Sequence, residues 1–278
     1  MIAPARSRGP LGLGAGPEAI VRAVAASRRR AGLRFRLVFV LTWIALVGVL
    51  VLLIGSTGRV DLGFLGTWGP LIRGGIPITI AVSATSIVFA TMFAIVGALG
   101  RLARSAPIYA AATLYVSLVR GTPLIVQVFF VYSALPEFGI VLPAFIAGCL
   151  ALSFNYGAYM TEIFRAGIQA IPRGQVEAAA SLGMTERQTM RRIVLPQAVR
   201  IVTPAIGNEF IAMIKDSALV SFVGLQELFW RSRTVGSAHF QSFSTLVLAA
   251  LVYWVLTIFF SLFQERLEKR MAESDVRL

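Results

Sequence analysis

The chain has 278 residues, of which 57% are hydrophobic and only 14% are charged. A soluble domain usually carries about 25% charged residues, so this composition excludes an ordinary soluble protein and indicates that much of the surface faces lipid. A single histidine, His239, and a single cysteine, Cys149, exclude a disulfide framework, a Cys/His nucleophile and a metal site built from these residue types. The net charge of +13 fits either a nucleic-acid-binding protein or a membrane protein with positive cytoplasmic loops.

The first 55 residues contain a basic segment followed by an apolar run. Residues 1–32 are rich in glycine, alanine, proline and arginine, which predicts a disordered basic tail. Residues 33–55 contain the run RLVFVLTWIALVGVLVLLI. A spanning helix needs about 20 apolar residues, so this run is long enough to cross a bilayer. It is too long for a signal peptide, and no small-residue cleavage site follows it. We therefore expect an N-terminal transmembrane helix at 33–55.

Five further apolar segments follow this first one. They cover roughly residues 74–99, 107–134, 140–164, 198–222 and 242–263. Each is long enough to cross a membrane as a helix. The composition and the segments together predict an all-α integral membrane protein with six transmembrane helices.

The basic residues predict how the six spans are oriented. With a cytoplasmic amino terminus, twenty of the 26 basic residues lie on the cytoplasmic side, including those in a predicted C-terminal tail at 266–278. Those outside are Arg59, Arg73, Arg231 and Arg233, and those within spans are Arg120 and Lys215. Because cytoplasmic loops carry the excess of Lys and Arg, we expect both termini to be cytoplasmic. The net positive charge then requires no nucleic acid.

The longest predicted cytoplasmic loop, residues 165–197, contains the sequence EAAASLGMTERQTMRRIVLP. Glu-Ala-Ala-Ala favours a short helix at 175–182, and Gly183 suits the position that follows a helix end. Thr185 can cap a second helix, with Gln188 completing a capping box. Pro196 should stop that helix or kink it into the fifth span. On local grounds the loop is either an ordinary helical connection or an element that docks into a partner.

Seven residues of this loop match a known pattern. They are Glu177, Ala178, Ala179, Gly183, Ile193, Leu195 and Pro196. Their types and spacing resemble the EAA loop of ABC importer permeases. The stretches at 120–136, 158–179 and 207–221 resemble the polar amino-acid uptake branch of that family. The resemblance covers roughly residues 70–265.

The resemblance implies a type I ABC importer permease core at 70–265, with the helix at 33–55 as an extra one. It further implies a bacterial inner-membrane protein that transports an amino acid by alternating access. Its partners would be an ATPase subunit held by the 165–197 loop, a second permease chain, and an extracytoplasmic binding protein docking near 56–70 and 223–241. ATP and magnesium would bind the ATPase, and no cofactor is expected in this chain.

The absence of a phosphate-loop sequence agrees independently with this division of labour. No G-x-x-x-x-G-K-[ST] motif occurs in the chain, so ATP hydrolysis would need another polypeptide. The chain is therefore predicted to be a transport subunit and not an enzyme.

Polar residues inside the spans are candidates for a substrate pathway. A charged side chain in a bilayer costs about 2.5–3.5 kcal/mol, so such groups should face the bundle interior or a wet cavity. Several lie seven residues apart, or two helical turns. The candidates are Arg120, Gln127, Asn155, Tyr159, Glu162, Asn208, Glu209, Lys215 and Asp216. Their mixed charges suit a zwitterion, although they could instead satisfy one another between helices.

Three alternatives to an ordinary amino-acid importer stay open. The cargo could be an opine, an ectoine or a sulfur amino acid, because the family's K-D-T-S-L reads Lys215-Asp216-Ser217-Ala218-Leu219 here. An ion-coupled secondary transporter could use Glu162, Glu209 and Asp216 as ion sites, but it leaves the pattern at 177–196 unexplained. A membrane scaffold that transports nothing would not need charged residues within its spans.

Overall fold

The computed structural model describes the backbone of residues 17–275 and the side chains of residues 32–271. Within this part of the chain all regular structure is helical. The α-helices are α1 (Pro17–Ser56), α2 (Leu62–Arg73), α3 (Ile76–Arg101), α4 (Ala106–Arg120), α5 (Leu124–Phe129), α6 (Ala144–Gln169), α7 (Arg173–Ser181), α8 (Glu186–Thr189), α9 (Leu195–Asp216), α10 (Leu228–Ala238) and α11 (Ser242–Asp275). The chain divides into two units, residues 1–60 and 61–278.

The first unit contains α1, which begins well before the predicted span. The apolar stretch Gly32–Ser56 is long and apolar enough to cross a membrane, in agreement with the helix expected at 33–55. The disordered tail predicted for 1–32 is wrong from Pro17 onward, because α1 begins there. The alanine- and arginine-rich sequence at 18–31 contains no proline or glycine, so nothing interrupts the helix before the apolar stretch. The rest of the predicted tail lies outside the described residues.

The second unit is built around α3 and α6, which pack closely through small residues. Ala90, Ala94 and Ala98 of α3 are buried. A Cβ atom added to Gly97 would overlap the side chain of Thr161, and one added to Gly157 would lie 2.6 Å from Cβ of Phe93. Small side chains let helix backbones approach in a membrane, where dispersion contacts take over from the hydrophobic effect. These two helices form the frame on which the other spans are placed.

The predicted third span, 107–134, is not one continuous helix. It breaks after Arg120, and the segments Ala106–Arg120 and Leu124–Phe138 are bent by 105° relative to each other. The apolar composition hides this break, but the sequence Gly121-Thr122-Pro123 causes it. Pro123 has no N–H group, and proline disfavours helical geometry at the residue before it. Pro123 itself is extended, with φ −63° and ψ 137°.

The remaining predicted elements differ in length from the structure. The region predicted as outer loops contains α2 and α10, α9 continues as a 3₁₀ helix at Ser217–Val223, and α11 runs through most of the predicted C-terminal tail. In the described residues three helical stretches are long and apolar enough to span a membrane, or four if the bent pair counts as one. Polar residues lower the hydropathy of α6 and α9, so this criterion does not reach the predicted six.

Glu227 connects α10 and α11 to the N-terminal end of α3. The side chain is fully buried and caps α10 by accepting hydrogen bonds from the N–H groups of Phe229 and Trp230, at 2.9 and 2.7 Å. It also accepts from the hydroxyls of Thr79 on α3 and Tyr253 on α11, at 3.3 and 2.7 Å. Burial raises the pKa of the Glu227 carboxyl, and these hydrogen bonds oppose that rise.

Glu227→Gln should lower the stability of the second unit. The glutamine NH₂ group would face donors it cannot bond to, which costs about 1–3 kcal/mol, or a Tm decrease of roughly 2–4 °C for each kcal/mol. The matched control Glu137→Gln alters an exposed carboxylate and should change stability by less than about 0.5 kcal/mol. Thermal unfolding of the purified proteins measures both, and equal Tm values for the two variants would contradict the assignment.

Candidate functional site

A polar cavity of about 440 Å³ lies where the break between α4 and α5 meets α6 and α9. The residues that line it are Arg120, Gly121, Thr122, Pro123, Leu124, Asn155, Tyr156, Tyr159, Glu209 and Asp216. Five of them belong to the nine predicted pathway residues: Arg120, Asn155, Tyr159, Glu209 and Asp216. The structure therefore gathers candidates from three separate predicted spans around one cavity.

The cavity holds charges of both signs. The Arg120 guanidinium lies over the Tyr159 ring, 5.1 Å from its centroid, which favours the cation. The Tyr156 hydroxyl donates to Oδ2 of Asp216 at 2.7 Å and fixes that carboxylate. Glu209 lies two helical turns earlier on the same face of α9, as its spacing predicted. One guanidinium and two carboxylates can thus meet a ligand that carries both charges.

Gln127, another predicted pathway residue, satisfies carbonyl groups that the break in the helix leaves without their usual donors. In a continuous helix the Val119 carbonyl would accept from the N–H group of residue 123, which is proline. The Gln127 side chain replaces that donor: its Nε2 donates to the Val119 carbonyl at 2.8 Å and to the Thr122 carbonyl at 3.2 Å. Asn155 donates to Oε1 of Gln127 at 3.2 Å. Gln127 does not line the cavity. Although Arg120 and Gln127 are seven residues apart, they do not share one helix face, because the helix breaks between them.

Glu162, also predicted to line the pathway, lies away from the cavity. Its carboxylate accepts from Nε of Arg101 at 3.1 Å and from Nη2 of Arg165 at 2.7 Å. Arg101 also donates to Thr113 of α4 at 2.6 Å, so the group connects the end of α3 to α4 and α6. Glu162 lies only three residues beyond Tyr159, but this turn of α6 is past the cavity. The interhelical pairing considered from the sequence applies to this residue.

Asn208 and Lys215 do not line the cavity either. Both are exposed on α9, although the neighbouring residues Glu209 and Asp216 face the cavity. Seven-residue spacing places each pair on one helix face, but it cannot tell which face meets the bundle interior. Asp216 accepts a hydrogen bond from the Tyr156 hydroxyl of α6.

Sequence reasoning missed two parts of the cavity. Tyr156 was overlooked because it is an aromatic residue in an apolar segment, although it adjoins Asn155 and lies one turn before Tyr159. The backbone at Gly121–Pro123 was overlooked because hydropathy does not report helix breaks. The Gly-x-Pro sequence at 121–123 could have revealed this second part.

The 165–197 loop forms the two predicted short helices. Gly183 follows α7 with φ +76°, a left-handed conformation that favours glycine. The N–H of Met184 donates to the Ala179 carbonyl and that of Gly183 to the Ala180 carbonyl, as in a Schellman motif. Thr185 caps α8, and both hydrogen bonds of the predicted capping box with Gln188 are present. The predicted corner between the helices is confirmed.

Pro196 neither ends the helix nor leaves it regular. Residues Met190–Val194 form a π-helical turn directly before α9, so the chain stays helical from Glu186 to Asp216. The wider turn accommodates the proline ring and its missing N–H group. Glu209 and Asp216 therefore lie on the same unbroken helical segment as the second helix of the loop.

The outer surface of the loop carries exposed apolar side chains. Leu182, just after α7, is 82% exposed and Val176 is 42% exposed, whereas Ala179 of α7 is buried. Glu177 and Ala178 are exposed, as are Leu195 and Pro196, whereas Ile193 is half-buried. Gln197 of α9 donates to the Gln175 side chain at 2.6 Å and connects α7 to α9. The loop is thus held to the bundle on one side and free on the other.

No group of three His, Cys, Asp or Glu residues within the described segment could hold a metal ion. The candidate site therefore consists of the charged cavity and the exposed surface of the 165–197 loop.

A sequence profile of the family described as "Binding-protein-dependent transport system inner membrane component" matches residues 90–273. The chain belongs to this family. It is accordingly an integral inner-membrane permease component of an ABC transporter and not an enzyme. The matched region contains the cavity, the 165–197 loop and most of α11.

Individual permeases of this family are similar over most of the chain. The L-cystine transport system permease protein TcyB of Bacillus subtilis is 37% identical over 73% of this chain and 87% of its own length. The arginine transport system permease protein ArtQ of the same organism is 36% identical over 74% of this chain and 94% of its own length. A chain in the crystal structure of an amino acid ABC transporter with histidines is 38% identical, with a TM-score of 0.73, over 76% of this chain and 99% of that chain.

A double-mutant cycle tests the pairing of Glu162 with Arg101. Glu162→Gln and Arg101→Gln should destabilise non-additively, with a coupling of about 0.5–3 kcal/mol, because each removes the other's partner. Glu162→Gln combined with Arg104→Gln is the matched control, since Arg104 pairs with Glu186 instead. Unfolding free energies of the variants provide the measurement. Additive effects in both cycles would show that Glu162 does not depend on Arg101.

Proposed function

We propose that this chain forms the translocation pathway of an ATP-driven amino-acid importer and that the cavity at the α4 break binds the cargo. The observation that carries the proposal is the meeting of Arg120 with Glu209 and Asp216 around one cavity. The permease family and the similarity to amino-acid permeases support the same substrate class.

The charges suit an amino acid bound through its backbone groups. Arg120 can donate two parallel hydrogen bonds to the α-carboxylate, the geometry that a guanidinium favours. Glu209 and Asp216 can accept from the α-ammonium, and Tyr156 holds the Asp216 carboxylate in place. Each charge of the zwitterion thereby receives a partner of opposite sign, which offsets its loss of hydration.

The 165–197 loop is proposed to couple this cavity to a separate ATPase that binds ATP and magnesium. The loop presents Glu177, Ala178 and Leu182 to solvent, which suits insertion of α7 into a groove of that partner. A displacement of the loop would reach the cavity through the continuous helical segment from Glu186 to Asp216. ATP-driven movement of α7 would then alternate access to the cargo.

A second permease chain is proposed to cover the exposed polar face of α9. Asn208 and Lys215 are exposed there, and a charged side chain facing lipid costs about 2.5–3.5 kcal/mol. A second copy or a homologue, together with a water-filled pathway between the two chains, would remove that cost. The face that carries Asn208 and Lys215 can thus contribute to the pathway without lining the cavity.

The proposed topology retains six transmembrane helices with both termini in the cytoplasm. The helix at 33–55 is then extra to a permease core at 70–265 and has no assigned role in transport. An extracytoplasmic binding protein would deliver cargo to the side that carries residues 56–70 and 223–241, which contain α2 and α10. The distribution of Lys and Arg supports this orientation.

A sulfur amino acid is a specific second candidate for the cargo. The relative TcyB, which shares 37% identity, is an L-cystine permease protein, whereas ArtQ is an arginine permease protein. Both cargoes carry the same α-carboxylate and α-ammonium. The proposed recognition of the α-carboxylate and α-ammonium therefore applies to both amino acids. Only a preference for one side chain would distinguish them.

Removing one charge from the cavity should weaken cargo binding. Asp216→Asn and Arg120→Gln each remove a charge-assisted hydrogen bond, so the Kd should rise about 10- to 100-fold. The control Glu137→Gln changes a carboxylate that does not line the cavity and should leave the Kd unchanged. Binding of a panel of radiolabelled amino acids to the purified transporter provides the measurement. If both cavity variants bind as tightly as the unaltered protein, this cavity is not the cargo site.

Gly183→Ala should uncouple the ATPase while leaving the spans inserted. The added Cβ meets no neighbour, but at φ +76° it costs roughly 1–2 kcal/mol and shifts the corner between α7 and α8. Gly174→Ala is the matched control, because Gly174 lies in α7, has free space around it and has no positive φ. We expect cargo-stimulated ATP hydrolysis to fall several-fold in Gly183→Ala alone. Equal hydrolysis in both variants would remove the loop from the coupling mechanism.

A further inference from the structure

Phe240 combines two unfavourable features in one exposed residue. It lies between α10 and α11, has a positive φ of 54° and is 97% exposed. Among the described residues it is the only non-glycine residue with positive φ. A bulky residue in this conformation is strained, and a fully exposed phenyl ring gains nothing from burial within the chain.

Two other helix ends in the chain show how glycine performs the same backbone task. Gly183 after α7 and Gly224 after the 3₁₀ helix at Ser217–Val223 both occupy the left-handed position of a helix end. Phe240 occupies that position after α10: the N–H of Gln241 donates to the Gly236 carbonyl at 2.9 Å, and the N–H of Phe240 donates to the Ser237 carbonyl at 3.5 Å. A glycine would make the same hydrogen bonds without strain. The backbone conformation therefore does not explain why a phenylalanine occupies position 240.

The corner around Phe240 is well fixed. The preceding residue, His239, packs its ring on Trp68 and Phe64 of α2, with centroid distances of 4.4 and 5.5 Å. On the other side, Thr245 of α11 accepts from the hydroxyl of Ser232 of α10 through its carbonyl oxygen. Contacts to α2 and between α10 and α11 thus fix the backbone on both sides of Phe240, while the Phe240 side chain itself is exposed.

The exposed apolar side chains of α11 indicate the depth at which Phe240 lies. They begin at Phe243 and continue through Trp254 and Phe259 to Phe263, after which the first charged residues of the helix, Glu265 and Arg266, follow. The 20 helical steps from Phe243 to Phe263, at 1.5 Å each, cover about 30 Å, the thickness of a bilayer's hydrocarbon core. Phe240 therefore lies just beyond the hydrocarbon, at the depth of the lipid headgroups.

We propose that Phe240 is a membrane-interface anchor that inserts into the lipid surface at the Ser242 end of α11. The lipid compensates for the strain and exposure of the side chain and holds the α10–α11 corner at a fixed depth. Lipid is favoured over a protein partner because Phe240 lies two residues before α11, whose exposed side chains from Phe243 to Phe263 include many large apolar ones. The proposal requires only that α11 crosses the membrane and is independent of the cargo and the ATPase.

Collision accessibility of a spin label tests this position directly. The full chain would carry Cys149→Ala, to remove its one native cysteine, and Phe240→Cys labelled with a nitroxide in lipid nanodiscs. Leu251→Cys on the exposed surface of α11 provides the lipid reference, and Arg187→Cys on α8 provides the aqueous reference. We expect the ratio of oxygen to nickel-chelate accessibility at 240 to lie between the two references.

An aqueous ratio at 240 would overturn the proposal. If the same aqueous label were immobilised when a cargo-loaded binding protein is added, Phe240 would belong to a protein-docking surface instead. Both results are independent of whether transport occurs, so failure of the anchor and failure of the proposed transport function remain distinguishable.

A matched pair of substitutions tests the strain separately. Phe240→Gly relieves the left-handed conformation, whereas Phe240→Ala keeps the strain and removes the same ring. We expect the glycine variant to unfold about 2–4 °C above the alanine variant in detergent. Equal Tm values for the two variants would contradict the view that the side chain is retained against backbone strain.

Discussion

The hydrogen bonds between Gln127 and the broken third span are the interaction on which the cavity depends. Lipid offers no partners for free backbone groups, so a helix can break at membrane depth only where other protein groups or water satisfy them. Pro123 deprives the Val119 carbonyl of its usual donor, and Gln127 supplies a replacement. Asn155 then anchors Gln127 to α6. The bend places Arg120 at the cavity, opposite the carboxylates of α9.

The loop at 165–197 depends on a different kind of constraint, because its shape is local. The left-handed Gly183 and the capping box of Thr185 with Gln188 use only residues within a few positions of each other. The second helix then continues through a π turn into α9, which carries Glu209 and Asp216. The second helix of the loop and the cavity carboxylates thus lie on one continuous helical segment, through which the proposed coupling would act.

These two parts explain what the sequence could and could not predict. The all-helical class and the loop's helices were predictable because hydropathy and capping are properties of consecutive residues. Hydropathy does not show the break after Arg120, since the apolar run continues across it and only the Gly-x-Pro sequence at 121–123 marks it. Glu162 was misplaced because its partner Arg101 lies 61 residues away. Seven-residue spacing grouped Asn208 with Lys215 and Glu209 with Asp216 correctly, but the packing of α9 decided that only the second pair meets the cavity.

In the proposed mechanism the 165–197 loop holds a separate ATPase, and a photo-cross-linker at Leu182 would capture the protein that contacts it. This side chain is 82% exposed on the outer surface of the loop. Irradiation of cells that express the full chain, followed by mass spectrometry of the cross-linked product, would identify the neighbour of Leu182. We expect this neighbour to be a protein that contains a G-x-x-x-x-G-K-[ST] phosphate loop. Cross-links only to lipid, or to proteins without a nucleotide-binding motif, would contradict it.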